Sequence, residues 1–124
     1  MRIISFGWTS PAILARRKTV TRRDWKASYA RTFHKGELLQ AWDKSPRTRK
    51  GKKIGVIRLT AEPSYEPVNW APNSDYEAEG FEYLDSIGAR VNRKSPVHLW
   101  TTWLQGDVWK WVLRFEIISL EGES

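Results

Sequence analysis

The alternation of apolar and polar positions divides the chain into short elements. Arg2 to Phe6 alternates well enough for a first strand. Ser10-Pro11 supplies an N-cap and a first helical residue, opening a short helix through Ile13 and Leu14. Lys18 to Arg23 places β-branched residues in alternation and predicts an extended segment. Asp24 is expected to cap the next helix. There Trp25, Tyr29 and Phe33 recur every four residues on one face, and Gly36 is expected to end it. Residues 37–43 and 54–61 predict two strands, joined by a hairpin loop that reads Ser-Pro-Arg-Thr-Arg-Lys-Gly.

The second half is more broken. Pro63, Pro67 and Pro72 predict an irregular stretch, after which Asn73 or Ser74 is expected to cap a helix carrying Glu77, Glu79, Phe81 and Leu84. Ser95-Pro96 repeats the Ser-Pro helix start and leads through Leu99, Trp100 and Trp103. Gly106-Asp107 is a turn. Residues 108–119 form the longest strand expected, with Trp109, Trp111, Leu113, Phe115 and Ile117 on one face. No strand–helix–strand rhythm calls for a parallel sheet. The sum is an α+β fold, a small mixed β-barrel with short flanking helices. A length of 124 residues suits one domain over residues 1–124.

Composition narrows the function classes. The chain is 40% hydrophobic and 13% aromatic, a globular balance. It has no cysteine, which excludes disulfides and Cys-based zinc or redox sites. His34 and His98 are far apart and outside any ligand-like spacing, so neither a metal nor a cofactor is expected. No apolar run approaches the ~20 residues of a membrane span. The opening residues turn polar too quickly for a signal peptide, and a cytoplasmic location is the expectation.

The formal net charge is +7, which points to an anionic partner, nucleic acid being the commonest. Its distribution says more. Arg16, Arg17, Lys18, Arg22 and Arg23 form one basic run without an acid. Lys44, Arg47, Arg49, Lys50, Lys52 and Lys53 form a second, on the hairpin loop. Between Glu62 and Asp85 the sign reverses, with seven acids and no Lys or Arg. Such segregation sets a basic surface beside a carboxylate-bearing one.

At residues 13–24 the string Ile-Leu-Ala-Arg-Arg-Lys-Thr-Val-Thr-Arg-Arg-Asp resembles the signature of ASCH domains, small barrels of the PUA-like superfamily, in which a first helix runs into Gly-x-Lys-Thr-x-Thr-x-Arg. Three further landmarks follow in order: Phe33-His34-Lys35-Gly36-Glu37, Ala78-Glu79-Gly80-Phe81, and the aromatic strand from Trp109 to Ile118. The resemblance spans nearly the whole chain and implies a PUA-like barrel that works on RNA or on a nucleoside. One bacterial branch of the family removes the acyl group from acetylated cytidine, and other members are thought to bind or cut RNA. Matched residue by residue, the hydrolase set falls on Lys18, Thr21 and Glu79. The chain departs from the pattern at Arg16, where the family has Gly, and at Arg22, where a hydrophobic residue is common.

Three functions are therefore carried forward: RNA or nucleoside binding first, amidohydrolysis of an acylated cytidine second, and ribonuclease activity third. The expected partner is RNA, another single-stranded nucleic acid, or a modified pyrimidine nucleoside. Trp8, Arg17, Arg22, Arg23, Arg47, Arg49 and Lys50 are the candidate binding residues. Trp8 is singled out for base stacking because it sits in a polar turn next to the signature, with Trp70 a weaker second. Plain alternatives stand beside these roles. Lys18 and its neighbours also suit a solvated basic face, Thr21 an ordinary strand threonine, Glu79 a surface helix residue, and the basic hairpin a mobile loop. Lys18 and Thr21, three apart, would point to opposite faces of a straight strand. The catalytic set therefore requires a bend between them.

Overall fold

The computed structural model describes residues 1–123 as a six-stranded curled sheet, a half-barrel, with short helices packed along it. The strands are β1 (Arg2–Ser5), β2 (Val20–Arg23), β3 (Leu38–Trp42), β4 (Lys53–Leu59), β5 (Ser64–Pro67) and β6 (Trp109–Leu120). The helices are α1 (Ser10–Leu14), α2 (Ala27–Ala30), α3 (Asp75–Ala78), α4 (Phe81–Ser86) and α5 (Pro96–Gln105). The sheet runs β1-β3-β4-β6-β2, with β5 also on β6. All pairings are antiparallel except β1 with β3.

Strand β6 organises the fold. Its C-terminal half pairs with β4 and its N-terminal half with β5, while β2 pairs with Trp111 to Arg114. The alternation expected along it holds where neighbours cover it. Trp111, Leu113 and Phe115 are buried in the barrel core with Ile4, Phe6, Leu39, Ile57 and Leu59. A second apolar cluster, Ala12, Phe81, Leu84 and Trp100, joins α1, α4 and α5 outside the barrel. Full burial of each such large side chain contributes about 1.5–3 kcal/mol.

Four expectations are corrected. The helix expected from Asp24 to Gly36 is a single turn, α2, preceded by Lys26. Asp24 is drawn away to Lys110, at 2.8 Å, and caps nothing. The four-residue recurrence survives as an aromatic cluster instead, Trp25 lying 4.9 Å from Phe33, centroid to centroid. The helix expected over 73–84 is two helices, broken at Gly80 with φ +85°. The proline stretch contains β5. Pro67 is tolerated because β5 is an edge strand, hydrogen-bonded on one side to β6. Finally Trp109, expected on the buried face, is 42% exposed.

The two ends of the sheet, β1 and β2, come together without pairing. Arg23 at the end of β2 spans the gap, its Nη2 donating to the Ser5 carbonyl oxygen at 2.7 Å while its guanidinium lies 5.2 Å from the Phe6 ring centroid. The opening between these edges is where the site forms.

Candidate functional site

The site begins at the end of α1. The amide of Arg16 donates to Ile13 O at 2.9 Å and that of Arg17 to Ala12 O at 2.8 Å, the paired bonds of a Schellman helix stop. That stop needs a left-handed residue, and Arg16 supplies it at φ +58°. Here the signature's usual glycine has its physical reason, and an arginine at the position costs about 1–2 kcal/mol of backbone strain. The stop ends at Arg17, ahead of Lys18, and so is not a bend between Lys18 and Thr21. Lys18 precedes β2, Thr21 lies within it, and both line one cleft.

Gly80 makes the second half of the site possible. A side-chain carbon on Gly80 would lie 2.5 Å from Ala12 Cβ and 3.3 Å from Lys18 Cβ, so only glycine lets the α3–α4 junction approach this closely. The approach is held by Thr19, whose amide donates to Ala78 O at 2.7 Å. It delivers Glu79 directly to Lys18.

Lys18 is fully buried. Its Nζ donates to Glu79 O at 2.8 Å and to Glu79 Oε1 at 3.1 Å. Arg22 reaches the other Glu79 oxygen at 2.7 Å through Nη1, and Asp75 Oδ2 at 2.5 Å through Nη2. Arg114 closes the chain with a two-bond fork on Asp75, at 3.0 and 2.8 Å. Lys18, Arg22, Asp75 and Glu79 are all buried. Taking an ion out of water costs several kcal/mol, which only such dense pairing offsets.

Glu79 is shared by Lys18 and Arg22, and Asp75 by Arg22 and the partly exposed Arg114. Burial pushes the Lys18 amine below its usual value and outweighs the opposing pull of Glu79, while Arg23 and Arg22 lower it further. Burial likewise pushes Arg23 down, to about 10. Burial raises the Asp75 carboxyl, but the hydrogen bonds and charges of Arg114 and Arg22 overcome this and leave it below its usual value.

Thr21 is buried at the cleft floor, and its Oγ1 accepts from Arg23 Nε at 3.1 Å. The cleft holds about 210 Å³. Its polar floor is Lys18, Thr21, Arg22, Arg23 and Glu79, and its walls are Phe6, Trp8, Phe81, Leu99 and Trp103. Trp8 is half-buried against Phe81, with centroids 5.5 Å apart. Side chains from both faces of β2 reach the cleft because β2 is the end strand of the sheet.

Of the residues proposed from sequence, the fold gathers Lys18, Thr21, Glu79, Trp8, Arg22 and Arg23 around this cleft. Arg17 lies outside its lining, exposed and paired with Glu77 at 2.6 Å. Arg47, Arg49 and Lys50 are exposed on the hairpin, and none of the ion pairs among the described residues involves them. The hairpin base is tied to the segment carrying Trp8. Gly7 N donates to Asp43 O at 2.9 Å, and Asp43 Oδ1 accepts from Lys52 N at 2.8 Å. Trp70 is 71% exposed and away from the cleft lining. Among the described residues no cluster of His, Asp and Glu fits a metal ion, and no helix is long and apolar enough to cross a membrane.

Asp75 and Arg114 were missed. Asp75 was one of seven acids in its run, with nothing in the spacing to single it out. Arg114 carried at most a faint signal, one of two cations on β6 with Lys110, on the side of that strand that turns towards α3.

Fold and site together define a small PUA-like half-barrel with a cleft between its open edges, floored by Lys18, Glu79 and Arg22 of the buried network. The chain resembles a solved structure of protein EF3133 from Enterococcus faecalis V583, assigned to the family DUF984. The two share 20% identity and a TM-score of 0.62 over 99% of this chain and 83% of the other. At that identity the likeness shows the fold. No protein-family model and no curated protein matches the chain.

Proposed function

We propose that the cleft binds a nucleobase, presented by RNA or by a modified pyrimidine nucleoside, with Lys18, Thr21 and Glu79 at its polar end. One observation carries this reading: four aromatic walls, Phe6, Trp8, Phe81 and Trp103, converge on a polar floor of donors and acceptors. A flat heteroaromatic ring needs both, faces to stack against and edge groups to hydrogen-bond. The sequence resemblance to ASCH domains points to the same ligand class. The exposed hairpin cations Arg47, Arg49 and Lys50, rooted beside Trp8, suit phosphate contacts that position a strand without reading it.

A second reading, hydrolysis of an N-acylated cytidine, is favoured by the burial of Lys18, which lowers its amine, and by its two bonds to Glu79. A neutral amine has two N–H groups and one lone pair. In that form both N–H groups go to Glu79 O and Oε1 and the lone pair is the proton acceptor. The balanced reaction consumes one water. Thr21 Oγ attacks the acyl carbon while its proton passes to the Lys18 amine. The cytosine amine departs with that proton, and water then releases the acyl group from Thr21 as a carboxylic acid. Arg23 Nε, 3.1 Å from Thr21 Oγ1, lowers the cost of charge on that oxygen. Histidine acid–base cleavage of RNA gains no such support, since neither His34 nor His98 lines the cleft.

The test is a titration of the protein with cytidine and acetylated cytidine, followed by assay for free cytidine, with Lys18→Ala and Thr21→Ala as controls. Binding that both variants weaken supports the cleft as a nucleobase site, and turnover lost in both adds the hydrolase. Failure of either nucleoside and of RNA to bind folded protein sinks the proposal.

A further inference from the structure

The inward face of β6 continues past the point where the barrel is covered. Trp111 is buried under Trp25, but two residues earlier Trp109 is exposed, and across the strand pair Tyr65 lies opposite Trp111 and is 53% exposed. Trp70, from the 3₁₀ turn after β5, extends the series. The result is a row of four rings. Trp70 to Trp109 is 6.1 Å between centroids, Trp109 to Tyr65 5.4 Å, and Tyr65 to Trp111 5.3 Å. At its inner end the row opens into a concavity of about 310 Å³ lined by Trp25, Ala27, Arg31, Tyr65 and Trp111. No lining residue is shared with the Lys18 cleft.

Three large exposed aromatic residues in one row form an apolar patch of the kind that marks a contact surface. Its chemistry selects the occupant. The concavity has one charged lining residue, Arg31, and no carboxylate or amide side chain. Sugar hydroxyls would find no carboxylate or amide there and only the Tyr65 hydroxyl as a side-chain acceptor, whereas a base needs only a ring face, and the phosphate beside it a cation. Lys26 lies exposed between Trp25 and Ala27 in the chain, and the net charge of +7 adds a general attraction for a polyanion.

We propose that this row is a second binding site, a stacking platform for single-stranded nucleic acid whose bases lie on Trp70, Trp109 and Tyr65, with Arg31 meeting the backbone. It shares a ligand class with the cleft reading but depends on none of its residues. Base-on-aromatic stacking tolerates any sequence, because every base has a flat face. The site therefore adds affinity and leaves discrimination to the cleft.

The experiment is a titration of the full chain with fluorescent octauridylate, using Trp70→Ala, Trp109→Ala and Tyr65→Ala, each at an exposed position, with Trp109→Phe as the conservative control. Each alanine variant is expected to bind at least about fivefold more weakly, and Trp109→Phe to stay within about twofold of the wild type. Photo-cross-linking of bound octauridylate is expected to label peptides containing Trp70, Tyr65 or Trp109. Binding of cytidine in the cleft is expected to be unchanged in these variants. Loss of cytidine binding in Lys18→Ala with octauridylate still sensitive to Trp109→Ala leaves this site standing alone. Unchanged octauridylate affinity in all three alanine variants overturns it. So does an oligosaccharide that quenches the same tryptophans while octauridylate does not.

Discussion

Arg23 joins the end strands β1 and β2 of the sheet, donating from Nη2 to the carbonyl oxygen of Ser5 at 2.7 Å while its Nε holds Thr21 Oγ1 at 3.1 Å. One guanidinium thus closes the barrel mouth and orients the cleft hydroxyl. Arg23→Ala is expected to destabilise the fold by about 1–3 kcal/mol, as a partly buried carbonyl loses a charged donor. It is also expected to weaken nucleoside binding. Arg23→Lys, which cannot make both bonds with one fork, is expected to recover stability better than binding. Urea unfolding and ligand titration on the same preparations separate the two effects.

Gly80 is the tightest contact in the site. Gly80→Ala must place a carbon 2.5 Å from Ala12 Cβ and hold alanine at φ +85°. The expected loss is about 2–4 kcal/mol, combining overpacking with left-handed strain. A midpoint shift in urea denaturation checks it, and a loss under about 1 kcal/mol would mean that the two walls yield readily to an added methyl group.

Arg16 presents the reverse case. Arg16→Gly removes the left-handed strain of an arginine and sacrifices only an exposed ion pair with Glu123. A net gain of up to about 1 kcal/mol is expected, since exposed pairs are worth little. Destabilisation of the glycine variant in thermal unfolding would contradict this account of the helix stop.

The network gives two pH signatures. Asp75 has a lowered carboxyl pKa in the folded state, so its contribution to stability is fully present above the unfolded value of 3.8. It is lost as pH falls through the folded value. Wild type and Asp75→Asn are therefore expected to differ most near neutrality and to converge in acid. Lys18 acts in the same sense, in a more alkaline window. Its lowered amine means that the unfolded chain holds more protons in the window below 10.5, so stability rises with pH there. If the amine is the base, acyl-cytidine turnover follows the same limb, rising as Lys18 loses its proton. Lys18→Arg, which stays charged, is expected to abolish that turnover at every pH.

The hairpin prediction concerns salt. Neutralising Arg47, Arg49 and Lys50 together is expected to weaken RNA binding for every sequence alike. It should also reduce the slope of log affinity against log salt by about 2, since each phosphate that a cation neutralises on a single strand adds roughly 0.7 to that slope. A weaker affinity with an unchanged salt slope would remove the hairpin from the interface.

Much of the local structure was determined by the sequence alone. Both Ser-Pro pairs lie at helix starts because proline suits the first turn, and Ser95 Oγ accepts from His98 N as an N-cap should. Ser10, expected as a cap, is already the first residue of α1 behind Thr9, and its Oγ donates to Gly7 O instead. The alternation of β6 settled its inner face from Trp111 to Phe115, since a strand with one buried side needs period two. The α+β half-barrel followed from such elements and the spacing between them. What only the tertiary structure decided was partnership. Pairing in three dimensions joined the basic run at 16–23 to the acidic run at 62–85. It turned what looked like a solvated basic face into the buried network of Lys18, Glu79, Arg22 and Asp75. Depth of burial followed from that approach, which glycine at position 80 permits. The exposure of Trp109 depended on where covering elements ended. Alternation records which side a residue faces and carries no information on whether anything lies above it.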